Sequence, residues 1–420
     1  MVGQGGRRIL MEDILSEKQV AHIIKQSIGE HVKYELRGSD IKPATDGLAG
    51  FLGDHMRATL QVCADGELKD IHIFIKCLPI WNKPKAEFID NKNYFRREKL
   101  MFEIIEKMCT NDDPNPFCPK CYLCTDTMLV MPDIAFEGYT TQPYLQTLDL
   151  PHLLVSVAAI ARFHAAFANY ETRETIGVKR PHNFCKKYGS VLDEVAFCDS
   201  PFMKASAKLS ANFIKAFSTK PYRNLPDLES KFAKMYLVAC DSVTYREETV
   251  NVLIHKDLWV NNVMFKHDNG TPTNAVIVDF QLIRYVPPAF DLMTFLYLTT
   301  SRSFRDEHEL TICDHYYSVF CDNLDEDTKQ RMVEVGYDRK SFVQWCEQAR
   351  MFALVEPASI HPFILMHPRQ AQRVFDDPAT YERYVNEDRS QPVLEYAATC
   401  RQYRERCLEV TEEFLERYIL

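Results

Sequence analysis

Between Val252 and Leu298 the chain carries three oxygen-bearing side chains, Asp257, Asn262 and Asp279, whose types and spacing suit one kind of chemistry. Moving a phosphoryl group from ATP needs an acceptor for the attacking hydroxyl's proton. It also needs oxygen ligands that keep magnesium on the phosphates. His255-Lys256-Asp257 followed by Asn262 makes an H-x-D-x4-N loop, and Val278-Asp279-Phe280-Gln281 follows a hairpin. Such a loop and turn bring one base and two metal ligands to the ends of adjacent strands. Asp257 is then the candidate base, and Asn262 and Asp279 are the candidate magnesium ligands. His255 is the residue expected to pack beneath the loop and fix its shape.

The elements that must position these groups are also readable. Val263-Met264-Phe265 and Ala275-Val276-Ile277-Val278 flank Asp268-Asn269-Gly270, which predicts a β-hairpin with a type I′ turn, since Asn-Gly tolerates positive φ. Asp268, Asn269 and Gly270 are read as turn formers only. Pro287 to Leu292 opens a helix whose Asp291 suits the N-terminal dipole and could brace the Asp257 loop.

Further upstream, Asp70 to Pro79 alternates as a strand that carries Lys76 among apolar residues. A buried amine needs an anionic partner. The helical stretch Tyr94 to Phe102 offers Glu98, and a strand Lys held by a helix Glu is the arrangement that aims an ammonium at α/β-phosphates. Gly47, Gly50 and Gly53 punctuate Ser39 to Val62, which ends in a strand, Ala58 to Val62. Gly50 and Gly53 are candidates for a turn laid over the phosphates. Met128 to Met131 reads as another strand. The chain leaves it through Met131-Pro132-Asp133-Ile134, where an adenine edge could meet backbone groups, so Val130 and Met131 are candidate nucleotide contacts.

The rest of the chain supplies helices. Ser16 and Gln19 form a capping box before a helix over about 17–32, with Val20, Ile23, Ile24 and Ile28 on one face. Leu153 to Ala168 is amphipathic, and His164 on its apolar face is read as a core histidine. Phe202 to Phe217 and Leu228 to Val243 are helical. From Arg302 the pattern stays helical to the end, with breaks expected around Ile360-His361-Pro362 and Met366-His367-Pro368. Cys118, Cys121 and Cys124 lack a fourth nearby ligand and are not read as a zinc site.

Composition bounds the class. The chain has 420 residues, 46% apolar and 26% charged, which suits a globular protein with one large core or two. A net charge of −9 argues against nucleic-acid binding, which needs basic surface. No stretch of 18 or more apolar residues stands out, so no membrane span is expected. The first residues carry no secretory pattern, and the 14 Cys show no framework spacing, which together predict a cytoplasmic protein with reduced thiols. Nothing indicates an oligomer, and a monomer is the default.

The residues His255 to Phe265, with Asp257-Leu258-Trp259-Val260-Asn261-Asn262, then Val278 to Gln281, then Ala289 to Leu292, resemble the ecdysteroid kinase-like proteins. These stand within the choline kinase and aminoglycoside phosphotransferase-like branch of the protein-kinase-like fold. Ile75-Lys76, Arg97-Glu98 and the Ala161 to Ala165 helix also fit, and the likeness covers about residues 16–420. Lys256 stands where the family often has Gly, and Met131-Pro132-Asp133 replaces a commoner Leu-Glu-Asp. The resemblance implies an α+β, two-lobed fold. A small antiparallel-sheet N-lobe (1–131) would bind the nucleotide, and a large, mainly helical C-lobe (132–420) would carry the catalytic loop and the substrate. It implies ATP- and Mg2+-dependent phosphorylation of a hydroxyl on a small, largely apolar molecule, an ecdysteroid-like or xenobiotic alcohol. The alternatives are a choline or amino-alcohol kinase, or a non-catalytic nucleotide-binding pseudokinase.

Overall fold

The computed structural model describes residues 9–44, 53–80, 82–109, 114–178 and 184–420. Gly47 and Gly50 therefore lie outside the described residues.

The N-terminal part is a five-stranded antiparallel sheet with helices against it. Helix α1 (Glu17–Ile28) begins at Ser16, whose hydroxyl and Gln19 make the reciprocal capping box, and ends at Gly29 with φ +108°. The strands are β1 (Tyr34–Pro43), β2 (Asp54–Ala64) and β3 (Glu67–Cys77). Helices α2 (Lys83–Asn91) and α3 (Tyr94–Met108) follow, then β4 (Leu123–Cys124) and β5 (Met128–Pro132). The spatial order is β1-β2-β3-β5-β4. Val20, Ile23 and Ile24 of α1 bury against Leu60, Val62, Ile73, Ile75 and Val130 on one face of the sheet.

The sequence reading gave β2 only Ala58 to Val62 and missed β1 and α2. β1 is an edge strand with one fully buried residue, Ile41, so it lacks the alternation that marks a half-buried strand. α2 did carry a start signal: Asn82 caps it through Lys85 N and Pro84 sits in its first turn.

Past β5, strand β6 (Tyr139–Thr140) joins the hairpin of the second part, and helices α4 (Leu150–Val178), α5 (Phe184–Leu192), α6 (Pro201–Phe217) and α7 (Leu228–Ser242) follow. Three strands carry the central stretch: β7 (Val252–Ile254), β8 (Val263–Asp268) and β9 (Thr271–Ile277), with β10 (Arg284–Val286) pairing back on β7. β8 and β9 form the expected hairpin, and Asn269 and Gly270 both have positive φ, +47° and +81°. Helices α8 (Ala289–Thr299), α9 (Arg302–Asp322), α10 (Glu326–Glu334), α11 (Arg339–Ile364), α12 (Pro368–Phe375), α13 (Ser390–Thr399) and α14 (Arg401–Tyr418) complete the chain.

One expectation is corrected here, and a second observation bears on the helix α4. The helix does not break at Ile360-His361-Pro362: α11 runs through Pro357 and Pro362 to Ile364. Every residue from Phe352 to Ser359 is buried there, and packing on that scale outweighs the local cost of a helical proline. The chain turns only at Leu365 to His367. Second, one helix, α4, is long and apolar enough by length and composition to cross a membrane. Its buried polar groups are paired inside the protein, Glu171 with Arg331 and His164 with Asp291, as in the core helix of a globular domain.

Candidate active site

The cleft between the sheet and the helical part is where the spaced residues meet. Lys76 lies near the end of β3 with its side chain 4% exposed. Its Nζ is 2.8 Å from Glu98 Oε2 on α3, 2.5 Å from Asp279 Oδ1 and 3.0 Å from Gln281 Oε1. Burial works to lower the pKa of the ammonium; Asp279 and Glu98 overcome it and hold Lys76 above its ordinary range. Burial pushes the Glu98 carboxyl up, and Lys76 opposes that.

The catalytic-loop candidates converge on the same spot. Asn262 donates through Nδ2 to the Asp257 carbonyl at 2.7 Å and to its Oδ2 at 3.3 Å, closing the loop on itself. The Asp257 carboxyl is pushed well above the usual carboxylate range by burial and by the neighbouring Asp279, while Gln281 and Lys256 pull the other way. A carboxylate of raised pKa is a better proton acceptor. His255 sits under the loop: its Nε2 is 2.9 Å from the Val278 carbonyl, and its Nδ1 lies 3.2 Å from Asp257 N. Burial lowers its pKa, which keeps the ring neutral.

Asp291, in the first turn of α8, is fully buried. Its Oδ2 accepts from His255 N and its Oδ1 from Lys256 N, both at 2.7 Å, and Oδ2 also meets His164 Nε2 at 3.1 Å. His164 in turn bonds Tyr316. This core histidine thus stands second in line behind the loop.

A cavity of about 490 Å³ is lined by Lys76, Glu98, Asn262 and Asp279, whereas Asp257 is not among its lining residues. Its roof comes from His55, Phe74 and Lys76, its floor from Asn262, Met264 and Asp279, and its rear wall from Leu129 and Met131 to Ala135. Val130 is not part of it. Strand residues alternate sides, so Leu129 and Met131 face the cleft while Val130 is buried in the core beside α1. Gly53, just before β2, has φ +110°, and a Cβ there would come 3.0 Å from the Cys77 carbonyl, but it does not line this cavity. A larger cavity of about 750 Å³, bordered by Phe102, Phe117 and Tyr139, holds none of the candidate reacting groups.

Among the described residues no three His, Cys, Asp or Glu gather as a metal cluster. The fit to magnesium rests on donor chemistry instead. A carboxylate and an amide oxygen are hard ligands, and magnesium commonly takes only one or two such groups and completes its octahedron with phosphate and water. Asp279 has φ +75°, a left-handed backbone unusual for a non-glycine residue and of the kind held in place at working sites.

Reading the sequence gave Gln281 no role, yet its amide bridges Lys76 and, through Nε2 at 3.3 Å, Asp279 Oδ2. The signal was available as the polar residue two positions after Asp279. Glu194 was also missed, and no local pattern marks it.

A small antiparallel sheet over a helical lobe, with a Lys–Glu pair above and an H-x-D-x4-N loop below, defines the protein-kinase-like class of fold. The chain belongs to the ecdysteroid kinase-like family, which it matches over residues 48–327, and this is a family of small-molecule kinases. Solved structures similar to it include a Plasmodium vivax ethanolamine kinase, at 12% identity over 94% of this chain and 86% of that one, with a TM-score of 0.41. A microcompartment-associated aminopropanol kinase shows 14% identity over 95% and 98% of the two chains, with a TM-score of 0.33. A choline/ethanolamine kinase family protein from Mesorhizobium loti shows 13% identity over 96% and 100%, with a TM-score of 0.29. At these scores the family match alone carries the assignment. No curated protein matches the chain significantly.

Proposed function

We propose that the protein transfers the terminal phosphoryl group of ATP, held with Mg2+, to a hydroxyl of a small, largely apolar alcohol of ecdysteroid-like or xenobiotic type. The observation that carries this reading is the Lys76 cluster. One ammonium lies within 3.0 Å of Glu98, Asp279 and Gln281, and the carboxyl of Asp257 feels Asp279, Gln281 and Lys76 in turn. In this reading Lys76, steadied by Glu98, binds the α/β-phosphates. Asn262 and Asp279 would hold the metal, which supplies charge neutralisation of the phosphates. Asp257 orients the acceptor hydroxyl and takes its proton. Met131 borders the nucleotide, and His255 and Asp291 fix the loop.

The apolar acceptor rests on the ecdysteroid kinase-like family match, and Trp259, two residues past Asp257, belongs to the core. It is buried in a cluster with Phe363, Phe375 and Tyr381, with Phe88 and Phe202 packed at its edge.

The test is to incubate the protein with magnesium, ATP and a mixed sterol and alcohol extract, with choline and ethanolamine as separate arms, and to identify the phosphorylated product by mass. Asp257→Asn should cut turnover by about 10²- to 10⁴-fold while nucleotide affinity stays near wild type, because the lost interaction belongs to the transition state. Undiminished turnover in that variant, or no magnesium-dependent ATP binding by calorimetry, would sink the proposal. Phosphocholine as the favoured product would overturn the apolar acceptor alone.

A further inference from the structure

The residue before the candidate base has an unusual environment. Lys256 is 1% exposed and has φ +65°. Its Nζ is 2.5 Å from Glu194 Oε2 and lies over the Phe197 ring at 4.4 Å. A lysine in left-handed backbone is strained, and a buried ammonium must be paired. Glu194 meets that need from a turn 62 residues upstream.

The turn itself is held from both lobes. On the C-lobe side, Glu194 Oε2 also accepts from Arg284 Nη1 at 2.9 Å. Its Oε1 accepts the backbone N–H groups of Val195, Ala196 and Phe197 at 2.9–3.0 Å. Burial works to raise the pKa of this carboxyl, and the two cations overcome it and hold it far below the usual range. On the N-lobe side, Arg97 of α3 donates to the carbonyls of Val191 and Asp193 at 2.7 and 2.5 Å. Lys92, just ahead of α3, donates to the Val195 carbonyl at 2.9 Å. Arg97 is the immediate neighbour of Glu98, the residue that holds Lys76.

We infer that the turn 191–197 is a bracket that sets helix α3, and with it the Lys76–Glu98 pair, in register with the catalytic loop, with Glu194 and Lys256 as its positioning residues. N-lobe cations hold its carbonyls and C-lobe cations hold the Glu194 carboxylate. A shift of α3 therefore pulls on Lys256, whose backbone continues into Asp257. The inference rests on the proposed phosphotransfer and adds to it a link between the two halves of the site.

The test uses the full chain. Lys256→Met should lower kcat by about 10- to 100-fold, the usual loss for a reacting group displaced by about an ångström, with nucleotide affinity within about threefold of wild type. Lys256→Arg, which can reach Glu194, should recover most of the rate. Lys256→Gly is the sharper control, because glycine relaxes the left-handed backbone; if the lysine only fills space, this variant keeps full activity. Arg97→Met should also slow turnover, and Arg97→Met with Lys256→Met should be no worse than the slower single variant, since both act through one turn. Losses that multiply, or a fully active Lys256→Gly, overturn the bracket.

A second readout does not need turnover. Arg97→Met should speed hydrogen exchange in the 255–262 segment, which Arg97 does not touch, and unchanged exchange there refutes the link. Should Arg97→Met fail to fold, Arg97→Lys replaces it, keeping one donor and losing the second. A wild-type protein that phosphorylates nothing defeats the functional proposal, and the exchange measurement still decides the bracket.

Discussion

Asp291 offers a clean test of what holds the catalytic loop, because two explanations for it differ in size. As an acid in the first turn of α8 it gains about 0.3–1 kcal/mol from the helix dipole. As a brace it does more. One carboxylate accepts two backbone N–H groups at 2.7 Å and lies 3.1 Å from His164 Nε2, all buried. In Asp291→Asn a single oxygen remains. If it keeps Lys256 N, the new amide faces His255 N, donor against donor. His164 can adapt by changing tautomer, since Tyr316 OH on its other nitrogen can donate or accept. One buried N–H is then orphaned, at about 1–3 kcal/mol, and the surviving bond loses its charge assistance, for a total of about 2–4 kcal/mol. Asp291→Ala orphans both backbone donors and costs about 2–6 kcal/mol on the same scale. Urea unfolding followed through Trp259 and Trp345, both in the C-lobe, measures the difference. Turnover measured alongside should fall in the order wild type, Asn, Ala. A loss of no more than about 1 kcal/mol in both variants would leave only the dipole and refute the brace.

Three further outcomes follow from other parts of the molecule. Phe280→Ala should cost about 3–5 kcal/mol by thermal or urea unfolding, because Phe280 is fully buried and its ring meets Phe102, Phe163 and His255 at 6.0, 5.6 and 5.0 Å; a loss under about 1 kcal/mol would show that the site collapses around the missing ring. Gly53→Ala should destabilise by at least about 1–2 kcal/mol, since the residue needs φ +110° and its Cβ would press on the Cys77 carbonyl; equal melting temperatures would contradict this. Burial acts to raise Glu416, but Lys220, Arg302 and Tyr222 hold it down at about 2, below its ordinary 4.5, so the stability it adds is complete above pH 4.5 and lost as pH falls towards 2. Glu416→Gln should therefore be less stable than wild type at pH 7, with the gap closing between pH 4.5 and 2, and a gap that stays constant over that range would contradict the assignment.

The sequence exposed the central machinery because its spacing is local. Asp257 and Asn262 are five residues apart on one loop, and Asp279 follows a hairpin whose turn chemistry is explicit. Lys76 and Glu98 were legible for a different reason: a cation inside an apolar strand asks for an anion, and the next amphipathic helix supplies one. What stayed hidden lacked either signal. β1 runs along an edge and buries too little to alternate. Pro357 and Pro362 read as breaks because propensity is local, whereas the packing of α11 between α8, α9 and α14 is not. Val130 was a matter of register. The strand was found, but which of its residues face the cleft depends on pairing with β3, where Val130 lies opposite Ile75 rather than Lys76.

Lys256 shows most plainly why the remainder was out of reach. Its backbone angle favours glycine, and a lysine there costs about 1–2 kcal/mol before any contact is made. Such strain persists only where the surroundings over-determine it. Here they do: Asp291 fixes its N–H, and Glu194 and the Phe197 ring its ammonium, and these lie 35, 62 and 59 residues away along the chain. No window of sequence contains all four. Glycine would satisfy the loop and leave Glu194 with Arg284 and the N–H groups of its own turn, so the lysine is explained by the turn it reaches rather than by the loop it occupies. That makes residues 191–197 part of the site, though they carry no reacting group and stand apart from every motif that announced it.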